Sequence, residues 1–82
     1  MDEPTAHRAA TAMVELDQIV EVRVTFNNGQ SFVGRVHQWG AGGYVPQVTL
    51  VDKTSTRFLA LEWEHVTSVL VTYLDGSKTS VP

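Results

Sequence analysis

Two periods of apolar residues divide the chain. Between Thr5 and Asp17, Ala6, Ala9, Ala10, Met13 and Leu16 recur every three or four positions, the spacing of one helix face. Asp2-Glu3-Pro4 ahead of them suits a first turn. Proline there lacks an N–H that would be unpaired anyway, and negative charge favours the positive end of the helix dipole. Alanine dominates the stripe, so this helix is expected to bury little area, to lie across one end of the fold and to be its least stable element.

From Ile19 the period becomes two. Val20, Val22, Val24 and Phe26 alternate with Glu21, Arg23 and Thr25, as in a half-buried strand. Asn27-Asn28-Gly29 is a hairpin signal, because Asn and Gly tolerate positive φ. The return strand is expected over Ser31–Trp39, with Gly34 marking a sharp bend. Gly40-Ala41-Gly42-Gly43 reads as a flexible loop and Tyr44–Val51 as a third strand, with Pro46 near its start. After a turn at Asp52–Ser55, Thr56–Leu61 and Val66–Leu74 give a fourth and a fifth strand. Glu62–His65 between them is too short for a hairpin and fits one 3₁₀ turn. Asp75-Gly76 reads as a turn, with residues 75–82 a frayed tail.

The expected fold is therefore mainly β: one domain over residues 1–82, with a leader and short N-terminal α-helix (1–17), then a five-stranded, strongly bent antiparallel barrel (19–74). The run from Val22 to Val36 resembles the first Sm motif. It has alternating apolar residues, a turn glycine at Gly29, a bend glycine at Gly34 and an apolar residue two further on. Val66 and Val69 are similar to the closing apolar pair of the second motif, so an Sm-like or SH3-like barrel is implied over residues 16–71. The Sm RNA-binding residues do not carry over. Gly40, Gly42 and Tyr44 stand where that family has Asp, a stacking aromatic and Asn; Glu62 and Trp63 stand where it has Arg-Gly. Leu61–Ser68 also resembles the Leu-x-Leu-x-x-Ile-Thr-Ser segment of the Rof family, small Sm-like inhibitors of the Rho termination factor. That resemblance implies an acidic protein that covers a basic RNA-binding surface on its partner.

Composition narrows the chemistry. At 82 residues a domain buries only about 60% of its unfolded surface, so docking or oligomerisation would help it. No cysteine is present, which removes disulfides and thiolate chemistry and favours a reducing, cytoplasmic setting. No apolar run is long enough to span a bilayer, and Met-Asp-Glu-Pro does not fit a signal peptide. The net charge of −3 is uneven, with −4 over residues 1–21 and +1 over 22–82. No Lys/Arg cluster suited to non-specific nucleic-acid binding exists; an acidic leader suits a basic protein surface.

His7, His37 and His65 show no metal-ligand spacing, so no metal or cofactor is expected. Glu62 and Glu64 could act as an acid/base pair or simply be solvated. With no second catalytic group evident, an enzyme is the least favoured reading. Trp39 and Trp63 are either core or interface anchors. Arg23, Arg35 and Arg57 could share one outer face, solvated by default or a shallow anion patch.

The leading expectation is a non-enzymatic regulatory or adaptor module that binds a basic protein surface, in RNA-handling or transcription-termination machinery, through Glu15, Asp17, Glu62, Trp63 and Glu64. One alternative is a ring-forming Sm-like RNA binder using Arg35, Tyr44 and Arg57, in which edge strands pair into a homo-oligomer. Another is an SH3-like structural subunit of a larger bacterial or phage assembly.

Overall fold

A computed structural model describes residues 1–82. Helix α1 spans Glu3–Ala12 and is followed by a 3₁₀ turn at Leu16–Gln18. Strands β1 (Ile19–Phe26), β2 (Ser31–Gly40), β3 (Gln47–Asp52) and β4 (Phe58–Ala60) follow. A second 3₁₀ turn at Trp63–His65 leads to β5 (Val66–Tyr73) and β6 (Lys78–Val81). The strands form one antiparallel sheet in the order β4-β3-β2-β1-β5-β6. β4 and β6 are its free edges and no ladder joins them, so the sheet is not closed into a barrel.

The expected five-stranded barrel is thus an open six-stranded sheet, and three further expectations are corrected. The tail is not frayed. Lys78–Val81 adds a sixth strand to β5, with Val81 opposite Val69 and buried. A Gly at +86° in the Asp75-Gly76 turn lets the chain fold back, its N–H donating to Tyr73 O at 3.0 Å. The helix ends at Ala12 rather than at residue 17. The Met13 N–H donates to the Ala10 carbonyl and the Val14 N–H to that of Thr11, while Trp39 and Tyr73 donate to the Ala10 and Ala12 carbonyls. Leu16, the last residue of the expected stripe, therefore leaves the core for a separate turn. Strands three and four are shorter than expected, because residues 44–46 stay in the loop and only Phe58–Ala60 pairs with β3.

The helix is better anchored than its alanines suggested. Asp2 caps its N-terminus, Oδ1 accepting from the Thr5 N–H at 2.9 Å. Ala6, Ala9, Ala10 and Met13 have no exposed surface. The small alanines let the helix backbone sit close to β6, and Ala9, Ala10 and Met13 join the core cluster with Val22, Val24, Val48, Leu50, Val66, Val69 and Val71.

Gly34 keeps its importance for a more specific reason. It lies on β2 between Val22 of β1 and Asp52 of β3. A Cβ there would overlap the Val51 carbonyl oxygen, so glycine permits a close approach of two strands. The β2–β3 register shifts between Val36 and Gln38, where an extra residue increases local twist.

Candidate functional site

No polar or charged residue is buried, so every ionisable group stands at the surface. Function is then a matter of how the surface is grouped. No helix is long and apolar enough to cross a membrane.

The first group surrounds Trp63. The Met1 ammonium donates to the carbonyls of Trp63 at 2.7 Å and Val66 at 2.5 Å. This tie brings the helix start, with exposed Asp2 and Glu3, beside the second 3₁₀ turn, with exposed Glu62 and Glu64. Asn27 of the β1–β2 hairpin holds the turn from the other side. Its side chain donates to the Glu64 carbonyl at 3.0 Å and its N–H to the His65 carbonyl at 2.9 Å. Trp63 is half-buried, packs against the core and donates its indole N–H to Pro46 at 3.0 Å. It is both a core residue and the apolar centre of an acidic corner.

Within that corner the ligand-type atoms of Glu62, Glu64 and His65 lie within 4.8 Å of one another. His65 Nε2 is 3.2 Å from Glu62 Oε2. Reading histidine spacings alone misses this set, because its signal is Glu-x-Glu-His on one tight turn. All three side chains are exposed, and a solvated Glu62–His65 contact accounts for them.

Glu15 and Asp17 do not join the corner. They lie past the far end of α1, about 15 Å away along a ten-residue helix. The five residues expected to form one partner surface therefore divide into two. Asp17 instead lines a groove of about 410 Å³ with Leu16, Arg35, His37 and Val51.

The alternative trio also divides. Arg35 pairs in register with Val51, and Arg57 stands by the β3–β4 turn, its carbonyl accepting from the Asp52 N–H at 2.8 Å. Tyr44 is at the opposite end of β3, about 16 Å off at strand rise. It is 85% exposed, while its carbonyl is held by the His7 ring.

Arg23 and Arg35 do share the outer face of the sheet, alternating with buried Val22, Val24 and Gly34. Lys53 joins them, 2.8 Å from Glu21. The hydrogen bond from Lys53 holds the Glu21 carboxyl below the ordinary range, helped by the charges of Lys53, Arg23 and Lys78. Arg23, Lys53 and Lys78 thus gather around one carboxylate, a grouping made by cross-strand register and invisible in a linear charge count. On the same side, the exposed Phe58 ring meets the His37 ring edge-on at 4.6 Å.

A final group went unread in the sequence. Val14, Leu16, Val20 and Leu74 are four of the six exposed large apolar residues. Leu74 is tied to the stretch that carries the other three, its N–H donating to the Gln18 carbonyl at 2.8 Å. Val14 was the readable signal, since it falls off the helical stripe.

No protein-family model matches the chain, and no curated protein or solved structure matches it either.

Proposed function

We propose that this protein is a non-enzymatic binding module with an Sm-like frame, and that it docks on a basic surface of a protein partner in RNA-handling or transcription-termination machinery. The carrying observation is the bond between the Met1 ammonium and the Trp63 and Val66 carbonyls. It joins Asp2 and Glu3 to Glu62 and Glu64 around the partly exposed Trp63. A half-buried tryptophan flanked in the chain by the exposed carboxylates of Glu62 and Glu64 is a sound anchor for a basic partner. The ring excludes water, and the charges steer encounter. Glu15 and Asp17 stand outside this contact.

The Rof resemblance selects the partner to test. Binding to immobilised Rho termination factor is measured for the wild-type chain and for the double variant E62K/E64K. Both side chains are exposed, so the variant keeps the fold. The expected result is wild-type binding that weakens with salt and falls by about tenfold or more in the variant. An affinity unchanged by the double charge reversal overturns the assignment of the corner, and absence of wild-type binding at low salt overturns the choice of Rho.

The cationic outer face favours one second reading, the binding of single-stranded RNA by Arg23, Arg35, Lys53 and Lys78 rather than by Arg35, Tyr44 and Arg57. Exposed ion pairs are worth little against a protein, about 0.2–1 kcal/mol each. The same cations gain counterion release against a polyanion. Titration with a short U- or A-rich RNA at two salt concentrations tests it. Four phosphate contacts predict a log–log salt slope near about −2.8, and no binding at low salt eliminates the reading.

A further inference from the structure

Two hairpin tips of this chain are built alike. At the β1–β2 tip, Phe26-Asn27-Asn28-Gly29-Gln30, the Gly29 N–H donates to the Phe26 carbonyl at 2.9 Å and the Phe26 N–H to the Gln30 carbonyl at 2.8 Å. The Gln30 N–H donates to Asn28 Oδ1 at 2.9 Å. At the β5–β6 tip, Tyr73-Leu74-Asp75-Gly76-Ser77, the corresponding bonds run from Gly76 to Tyr73 at 3.0 Å, from Tyr73 to Ser77 at 2.9 Å and from Ser77 to Asp75 Oδ1 at 2.9 Å. The glycines match as well, with φ of +85° and +86°. Each tip is a turn closed by a left-handed glycine. In each, the side-chain oxygen before the glycine accepts from the N–H two residues on. At that position the first tip carries an amide and the second a carboxylate.

An asparagine followed by glycine has a reaction of its own. The Gly29 nitrogen, once base has taken its proton, attacks Asn28 Cγ, and glycine has no Cβ to obstruct the approach. A C–N bond forms, the C–Nδ2 bond breaks, and ammonia leaves. Water then opens the succinimide ring at either carbonyl. The sum is asparagine plus water giving aspartate or iso-aspartate plus ammonia, with no oxidation or reduction. Residues 27–30 are exposed, and a depression of about 270 Å³ lined by Phe26, Asn27, Asn28 and His65 gives water access. Asn27 is the only other asparagine. A residue with a side chain follows it, and its amide is engaged with the Glu64 carbonyl at 3.0 Å. Asp75 is a poor electrophile while ionised, and the Ser77 hydroxyl and N–H, in that order, hold its carboxyl below the ordinary range. In the closed first tip the attacking N–H is bonded to Phe26 and the target side chain to Gln30, so the reaction waits for the tip to open. An exposed tip opens locally at far less than the cost of global unfolding.

We propose that Asn28 is a site of spontaneous deamidation, gated by opening of the β1–β2 tip, and that the turn accepts its aspartate product but not its iso-aspartate product. The β5–β6 tip supports the first half of that distinction, since Asp75 fills the same position and its Oδ1 makes the same bond. Iso-aspartate routes the main chain through Cβ and lengthens it, so the bonds from Gly29 to Phe26 and from Gln30 to residue 28 lose their geometry. Asn27 stands inside the same turn, and its bonds to the Glu64 and His65 carbonyls hold the second 3₁₀ turn. The iso-aspartate form therefore also releases the turn that carries Trp63. The aspartate form leaves that turn in place and adds a negative charge to the depression that His65 lines. Neither consequence depends on which partner the chain binds.

The full chain is incubated at mildly alkaline pH, native and in urea, and the released ammonia is measured. Peptide mapping by mass spectrometry locates the change, and synthetic peptides of residues 24–35 carrying aspartate or iso-aspartate identify the products by retention. The expected result is conversion at Asn28 and not at Asn27, at least about tenfold slower in the native chain than in urea. Asn28→Asp should release no ammonia from the tip and should keep the native amide spectrum outside it. Asp75→Asn, which places Asn-Gly in the same turn, should gain a second reactive site. In the aged native protein the iso-aspartate fraction should show shifted amides at residues 26–30 and 62–66, and the aspartate fraction only around residue 28. Conversion at Asn27, a native rate equal to that in urea, or a native chain that releases no ammonia would overturn the proposal. So would an inert Asp75→Asn, or an Asn28→Asp chain whose hairpin is lost.

Discussion

Trp39 donates its indole N–H to the carbonyl oxygen of Ala10 at 2.8 Å. It is a second donor on that oxygen beside the Met13 N–H, and the Tyr73 hydroxyl donates at 2.6 Å to the Ala12 carbonyl, one of those the last turn of a helix leaves without an intrahelical partner. Two strands, β2 and β5, thus hold the C-terminus of α1, and the Met1 ammonium holds its start against the second 3₁₀ turn. Replacing Tyr73 by Phe removes one bond and leaves the Ala12 carbonyl to water or to nothing. Urea unfolding is expected to show a loss of about 1 kcal/mol. Trp39→Phe, which also loses ring area, should cost more.

Met13 tests whether the helix is an integral part of the fold. Its side chain is fully buried in the cluster with Val22, Val24 and Val71. Met13→Ala is expected to cost about 2–5 kcal/mol. That is a large part of the roughly 4–12 kcal/mol usual for a chain of this size. Removing the helix outright should expose the inner face of the sheet and give an aggregating or unfolded product. A stable, monomeric sheet after such a deletion would refute this account.

Gly34 and Gly42 differ in what surrounds them. A Cβ at Gly34 would overlap the Val51 backbone oxygen, whereas Gly42 has open space. Neither has positive φ. Gly34→Ala is therefore expected to destabilise by roughly 3 kcal/mol or more, since two central strands must separate. Gly42→Ala should stay within about 0.5 kcal/mol. Thermal melts of the two variants side by side give the comparison.

Acid should weaken the fold in a defined direction. Hydrogen bonds from Thr5, side chain first and then backbone, hold the Asp2 carboxyl below the ordinary range. Thr54 does the same for Asp52 through its backbone first, and Ser77 for Asp75 through its side chain first. Groups whose folded pKa is lowered contribute stability that is complete above the unfolded pKa, about 3.9 for Asp. That stability is lost as pH falls through the folded value. Stability is expected to be flat above about pH 5 and to fall below about pH 4. Asp2→Asn keeps a side-chain acceptor at the N-cap but cannot titrate. Its acid limb should be shallower than that of the wild type, while stability near neutrality is little changed. An unaltered limb would show that Asp2 is not a contributor.

The sequence by itself determined the elements whose cause is local. The three-to-four spacing of Ala6, Ala9, Ala10 and Met13 placed a helix, and the alternation around Val22 and Val24 placed a strand. Asn27-Asn28-Gly29 closed a hairpin at Gly29, whose φ is +85°. The short Glu62–His65 joint became a 3₁₀ turn at Trp63–His65. In each case the preference lies in the side chains of the segment and needs no distant partner. Gly34 was legible as special, but not the reason, because the oxygen it avoids belongs to a residue seventeen positions away.

Only the tertiary structure decided the rest, for reasons of reach. The sixth strand has a polar sequence, Lys78–Ser80, and exists because β5 offers it a free edge and the core a place for Val81. The end of the helix is set where the Ala10 and Ala12 carbonyls meet Trp39 and Tyr73, 29 and 61 positions along the chain. The surface followed the same rule. Sequence chemistry named Glu15, Asp17, Glu62, Trp63 and Glu64 as one site, but the length of α1 separates the first two from the others. Glu21, Arg23, Lys53 and Lys78, scattered in sequence, meet through cross-strand register. Charges and apolar residues can be counted along a chain; which of them share a face is set by pairing between strands far apart in it.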